Sequence, residues 1–201
     1  LKQFSILDAK LIVDDLITGA SWDIPQADLV VMRQDNKITA SLIANIDGFD
    51  KSARVIGKAA FPAGSQKVDV KLKVKNFPVD QLAYPILRLE ALKAFKMKVS
   101  GSINASFGLD GKITNSHFDV AANRGRINEP LLWERVLPFK SLYFRGRYEA
   151  DPAALEIERF DINVGGSIVS LTGIGITVDD ELTFAGRLNV NRMSMSDLQK
   201  Y

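Results

Sequence analysis

The sequence predicts a mainly β protein: a curled antiparallel β-sheet, groove- or taco-like, built of repeated meander units with two or three short helices. Three observations predict it. Val68, Val70, Leu72 and Val74 alternate with Lys67, Asp69, Lys71, Lys73 and Lys75, the mark of a strand with one apolar and one solvated face. Turn residues recur along the chain at spacings of roughly 8–12 residues. Helical periodicity is confined to a few short segments.

In chain order, alternation is read at Lys10–Asp14, Ala27–Arg33, Lys37–Asn45, Ala53–Phe61, Lys67–Lys75 and Phe95–Phe107. It continues at Lys112–Ala122, Ser141–Ala150, Leu155–Val164, Ser167–Val178 and Leu182–Asn191. Gln34-Asp35-Asn36, Asp47-Gly48, Pro62-Ala63-Gly64, Asp110-Gly111, Asp151-Pro152, Gly165-Gly166 and Asp179-Asp180 supply the turns. Among them Leu109-Asp110-Gly111-Lys112 reads as the clearest two-residue hairpin. Pro78–Leu82 and Pro85–Phe95 read as short helices, with Pro85 suited to a first helical position and Leu82, Ile86, Leu89, Leu92 and Phe95 as the apolar stripe. Glu129–Val136 reads as a short helical turn, and Ser194 or Ser196 as the cap of a helix beginning near Asp197. A shift of 116 residues lays Gly57–Leu82 over Gly173–Leu198, matching Gly57 with Gly173, Leu72 with Leu188 and Val74 with Val190. That match fits repeat units 1–92 and 93–201; it also fits the general likeness of any two hairpins.

Composition narrows the function classes. The 201 residues are 46% hydrophobic and 25% charged, an ordinary balance for a folded chain. With no cysteine, disulfide scaffolds, thiolate zinc sites, iron–sulfur clusters and cysteine nucleophiles are excluded. A single histidine, His117, leaves no His-pair metal site. A net charge of +2 gives no strong pull toward nucleic acid. No apolar run reaches the roughly 18 residues needed to span a bilayer, and no signal peptide is visible. The start at Leu1 and the end at Tyr201 read as those of a piece of a larger protein, so membrane contact is expected through segments outside it.

Each motif that could carry chemistry has a plainer reading. His117 lies on the strand face opposite Phe118 and Val120, with Asp119 two residues away and Ser116 adjacent, a spacing poorly suited to a nucleophile and an orienter converging on one imidazole. Asp14-Asp15 and Asp179-Asp180-Glu181 fall where strands give way to turns, where Asp is favoured for backbone hydrogen bonding. The glycines of Val164-Gly165-Gly166-Ser167 and Thr172-Gly173-Ile174-Gly175 are followed by strand-like sequence, not by the helix a phosphate loop requires. Lys67, Lys71, Lys73 and Lys75 form a solvated stripe, or alternatively a contact for phosphates or anionic head groups. Trp22, Trp133, Phe139, Tyr143, Phe144 and Tyr148 are the large aromatics available to line a ligand site; Asn104-Ala105-Ser106 matches the glycosylation sequon, too common a pattern to use.

A longer string of features carries a resemblance. It runs from Phe4, Ile6, Ala9, Leu11 and Val13-Asp14-Asp15, through Gly19-Ala20-Ser21-Trp22, Leu29–Arg33 and Phe77–Ala83, to Val99–Ile103, Gly125–Pro130 and Leu142–Tyr148. In these the chain resembles the central region of bacterial AsmA-like proteins, the superfamily that includes AsmA, TamB and YhdP. The resemblance covers most of the chain, and its motifs are degenerate strand-and-glycine patterns. It implies a periplasmic β body anchored to the inner membrane by an N-terminal helix outside these residues, with an apolar groove carrying phospholipid toward the outer membrane. It supplies no catalytic residues.

The expectation is therefore a single elongated β region over 1–201 that binds or conducts phospholipid or other acyl-chain lipid along an apolar β-groove. Its candidate lining is Val68, Val70, Leu72, Val74, Phe118, Val120, Leu188 and Val190. No enzymatic activity, cofactor or metal is expected, and no nucleic-acid partner; other envelope proteins are candidate partners. The alternatives are a structural or partner-binding β module in envelope biogenesis without lipid cargo, and a hydrolase centred on His117. Alternation is the same whether the apolar faces line an open groove or pack together as a filled sandwich.

Overall fold

The computed structural model describes residues 2–15, 20–46, 53–79, 94–128, 136–178 and 181–191. They form thirteen strands: β1 (Gln3–Asp15), β2 (Ala20–Gln34), β3 (Lys37–Ile46), β4 (Ala53–Pro62), β5 (Lys67–Pro78), β6 (Phe95–Gly108), β7 (Ile113–Ala122), β8 (Gly125–Ile127), β9 (Leu137–Phe139), β10 (Ser141–Ala150), β11 (Ala153–Val164), β12 (Ser167–Val178) and β13 (Glu181–Asn191). All the ladders are antiparallel, and the order follows the chain, β1 to β7 and then β10 to β13. β8 and β9 leave this path as a short ribbon, β8 pairing with the first residues of β6 and with β9. The sheet is open, with β1 and β13 as its outer strands.

No α-helix is present among the described residues. Pro78 closes β5 instead of opening a helix, and Phe95 begins β6. Both are held by ladder pairs, Pro78 with Lys98 and Phe95 with Ile127, so strand pairing overrides the local helical pattern. The rest of the expected helical segments, 80–93, 129–135 and 192–201, lie outside the described residues, as do the turn residues Asp47, Gly48, Asp179 and Asp180.

The turns separate by their backbone chemistry. Gly165 and Gly166 both have positive φ (60° and 99°) and join the facing pair Val164 and Ser167, as a two-residue type I′ hairpin demands. The expected two-residue hairpin at Asp110-Gly111 is instead a three-residue loop. There the Gly108 N–H donates to the Lys112 carbonyl at 2.9 Å, the Gly111 N–H donates back to the Gly108 carbonyl, and Gly111 takes the left-handed conformation (φ 78°). Asp110 itself keeps a negative φ, which excludes type I′ and leaves the turn-plus-bulge solution.

The buried core is small and lies at one end of the sheet. Val79, Val99, Ala122, Phe139, Leu142 and Ile162 form its larger cluster, where the β8–β9 ribbon folds over the sheet and β9 packs on β11. Ile24, Ala27 and Ala44 form a second at the same end of β2 and β3. Among the described residues no large side chain is fully buried. The chain exposes 13853 Å², where a compact protein of 22.2 kDa exposes about 9,400 Å². The described residues form a one-layer sheet with a lid at one end and supply no second sheet packed on it.

Candidate functional site

Residues paired across an antiparallel ladder point to the same side of the sheet, so the register carries each face from strand to strand. From Val70 and Leu72 it passes to Ala59 and Gly57 of β4, then to Ala40 and Leu42 of β3, and on to Val31 and Leu29 of β2. In the other direction it passes to Ala105 and Ile103 of β6, Ser116 and Phe118 of β7, and Tyr148 and Gly146 of β10. From there it reaches Leu155 and Ile157 of β11, Gly175 and Gly173 of β12, and Phe184 and Gly186 of β13. One apolar face therefore runs unbroken from β1, where Phe4 and Ile6 continue it, to β13.

All eight candidate lining residues lie on this face: Val68, Val70, Leu72 and Val74 on β5, Phe118 and Val120 on β7, Leu188 and Val190 on β13. They are not equivalent. Val74 and Val120 pack against the lidded core. Phe118 stacks on Phe144 with ring centroids 4.8 Å apart, and Phe144 meets Phe160 edge-on at 6.1 Å. Leu188 is 65% exposed. Away from the lid the face also carries Phe4, Ile38, Ile113, Leu155 and Phe184, all exposed, which the sequence reading did not single out. Their signal was the same alternation, extended to the strand ends nearest the turns.

The glycines within the strands also favour this face. Gly57, Gly101, Gly146, Gly173, Gly175 and Gly186 all point to it. At Gly101 a Cβ would stand 2.1 Å from the Asp119 carbonyl oxygen, and at Gly146 it would stand 2.4 Å from that of Glu156 and 2.9 Å from the Phe118 ring. Neighbouring backbone occupies the space a side chain would need.

The opposite face is polar. Lys67, Asp69, Lys71, Lys73 and Lys75 are exposed there, and the Ser106 hydroxyl donates to Asp69 Oδ1 at 2.7 Å. Farther along, Arg145 Nε lies 2.9 Å from Glu158 Oε2, Arg147 Nη2 lies 2.6 Å from Glu156 Oε2, and Ser170 Oγ donates to Asp161 Oδ1 at 2.6 Å. Glu158 raises the guanidinium pKa of Arg145, and Glu156 that of Arg147. The Ser170 hydroxyl and then Arg159 hold the Asp161 carboxyl below the usual carboxylate range. Arg159 also sits 5.0 Å over the Tyr143 ring.

His117 belongs to this polar face, facing Asn104 and Arg147, with Nδ1 4.0 Å from Glu158 Oε1. Ser116 points to the other side and faces Ala105 and Tyr148. Asp119 faces Ser102 and Arg145. The three are thus not brought together, and the depression of about 280 Å³ beside His117 is an open dent between strands. Among the described residues no group of three His, Asp or Glu side chains could hold a metal, and no helix is long and apolar enough to cross a membrane. Asp14 and Asp15 end β1; Tyr143 faces the polar side, while Phe144 and Tyr148 face the apolar one and Phe139 belongs to the lid. Trp133 lies outside the described residues.

Fold and site together define a class: a single-layer antiparallel β-sheet with one continuous, partly lidded apolar face. Compared with protein-family models, with curated proteins and with solved structures, the chain matches none.

Proposed function

We propose that the apolar face binds acyl chains of phospholipid or a similar lipid, the sheet curling around it as a groove in a periplasmic segment of an AsmA-like protein. One observation carries this reading: among the described residues, no second layer covers the apolar face beyond the lid. Eleven strands at about 4.8 Å spacing make it roughly 48 Å wide, and the unlidded half of each strand adds about 17 Å, some 800 Å² in all. Soluble monomers rarely expose a contiguous apolar patch beyond about 300–600 Å² unless something occupies it. A sixteen-carbon chain laid there with about half its surface covered gains roughly 6 kcal/mol, with no polar recognition required. Glycines clustered on this face support a bend toward it, since missing side chains let the strands close on that side. The resemblance of the sequence to AsmA-like proteins agrees with such a body.

Photo-crosslinking amino acids on both faces of β5 test the proposal. At Val70 and Leu72 they should capture phospholipid from vesicles or from the expression host, while at Lys71 and Lys73 they should not. Equal capture on both faces, or no lipid in native mass spectra of the purified chain, would leave the β module without cargo as the better reading.

A further inference from the structure

The apolar face is not uniform. Among the ladder-paired positions of β5, β6, β7, β10 and β11, the register puts two polar side chains on it, Ser116 of β7 and Tyr148 of β10. They stand directly opposite each other across the β7–β10 ladder, flanked in the same row by Ala105 of β6 and Leu155 of β11. Both are half-buried. Neither hydroxyl has a hydrogen-bond partner among the described residues, whereas on the polar face Ser106 and Ser170 each donate to a carboxylate.

The pair also has a defined place along the strands. Tyr148 stands six positions from Leu142 of the lidded core, about 20 Å at the rise of an extended strand. Between them the same face of β7 and β10 carries Phe118, Val120, Phe144 and Gly146 and no polar side chain. In the other direction β10 ends at Ala150, two positions beyond Tyr148. One leaflet of a bilayer's hydrocarbon core is about 15 Å thick. The strip from the hydroxyl pair to the lid therefore takes an acyl chain lengthwise, and the rim beyond the pair is open to water.

Covering this face changes what the two hydroxyls require. Water satisfies them while the face is bare; a lipid laid over them excludes that water, and a stranded hydroxyl costs as much as a lost hydrogen bond. A hydrocarbon tail offers no acceptor, but the ester carbonyls that join the tails to the head group do. We infer that Ser116 and Tyr148 are the polar anchor of the lipid site, their hydroxyls donating to the ester carbonyls of a diacyl lipid. The tails then point toward the lid and the head group lies at the unlidded rim. This rests on the reading of the face as an acyl-chain site, and adds to it a substrate class, ester-linked lipid, and a direction. The tails supply the affinity; the hydroxyl pair supplies the selectivity.

Ester and ether lipids separate the two contributions. A fluorescent phosphatidylcholine bound to the full chain is displaced by dipalmitoyl phosphatidylcholine, or by dihexadecyl phosphatidylcholine, which has the same head group and chain length without the carbonyls. The diester should displace it at a concentration about fivefold lower, the worth of one net hydrogen bond. Tyr148→Phe combined with Ser116→Ala should abolish that preference by weakening the diester alone, its unchanged binding of the diether showing that fold and face are intact. Ser102→Ala, on the polar face, should keep the preference. Equal displacement of the wild-type chain by the two lipids would overturn the anchor. So would a preference that persists in the double variant, or a double variant that binds both lipids equally more weakly. Displacement by neither lipid would sink the acyl-chain reading and the anchor together.

Discussion

The two ends of the sheet share one alternation and differ in what lies on it. At the lidded end, β9 places Phe139 over Leu142 and Ile162, and these side chains fall to 3–6% exposure. At the other end, where β2–β3, β4–β5, β6–β7 and β10–β11 turn, Ile38, Ile113 and Leu155 occupy the same face and remain 37–44% exposed. Alternation fixes which side of a sheet is apolar; only a second layer makes that side a core. The lid is short, three residues in each of β8 and β9, so most of the face lies beyond its reach.

Substitutions can break or sharpen this contrast. The largest effect is expected at the lid: Leu142→Ala should lower unfolding free energy by about 2–5 kcal/mol in denaturant titrations, while Leu188→Ala, at the lidded end but on the rim strand and 65% exposed, should stay within about 0.5 kcal/mol. Similar values at the two sites would erase the distinction. Next comes the crowded glycine Gly101, where the neighbouring backbone cannot give way as a side chain does. Gly101→Ala should cost about 1–3 kcal/mol, and Gly57→Ala, which meets the end of Leu72 at 3.2 Å and the Leu42 Cβ at an ordinary 3.6 Å, less than about 1 kcal/mol. At the unlidded end, Ile113→Asp should leave the melting temperature nearly unchanged. It should weaken uptake of a fluorescent phospholipid by about tenfold, roughly 1.4 kcal/mol of lost apolar contact and added charge. Lys71→Glu should not weaken uptake.

The smallest effect concerns acid. Asp161 titrates lower in the folded chain than in the unfolded one, so its contribution is present above the ordinary carboxylate pKa of about 3.9 and disappears as pH falls through its lower folded value. Ser170→Ala removes the principal cause of that shift. It should flatten the acid limb of a stability–pH curve by a fraction of a kcal/mol, with little change at pH 7 beyond that same fraction.

Much of the fold was legible because alternation is a local signal. The strands from Lys37 to Ala122 and from Ser141 to Asn191 were read within a few residues of their ends, and Phe118 and His117 were assigned to opposite faces. The β8–β9 ribbon was not legible: three residues are too few to show a period, and what makes Gly125–Ile127 a strand is pairing with Phe95–Met97, some thirty residues earlier. Pro78 and Phe95 were misread as helical for the same reason, since their strand partners are distant in sequence. That the candidate residues of β5, β7 and β13 share one face was readable from alternation alone. That Val74 lies at the lid while Leu188 stands open was not, because alternation reports facing and not coverage.

Strands laid down in chain order have a further consequence, for how the protein comes apart. Apart from β9 on β11, each strand's extensive contacts are with its ladder neighbours, so β3 and β12 share no stabilising contact and are coupled only through the strands between them. Such a sheet behaves as a nearly one-dimensional array, in which stability is passed from neighbour to neighbour as in repeat proteins. Amide exchange is then fastest at β13 and slowest around β7 and β10, beneath the lid. The sheet opens by peeling strands from its rim toward a protected middle, and losing a rim strand costs its neighbour one ladder while leaving the lidded centre closed.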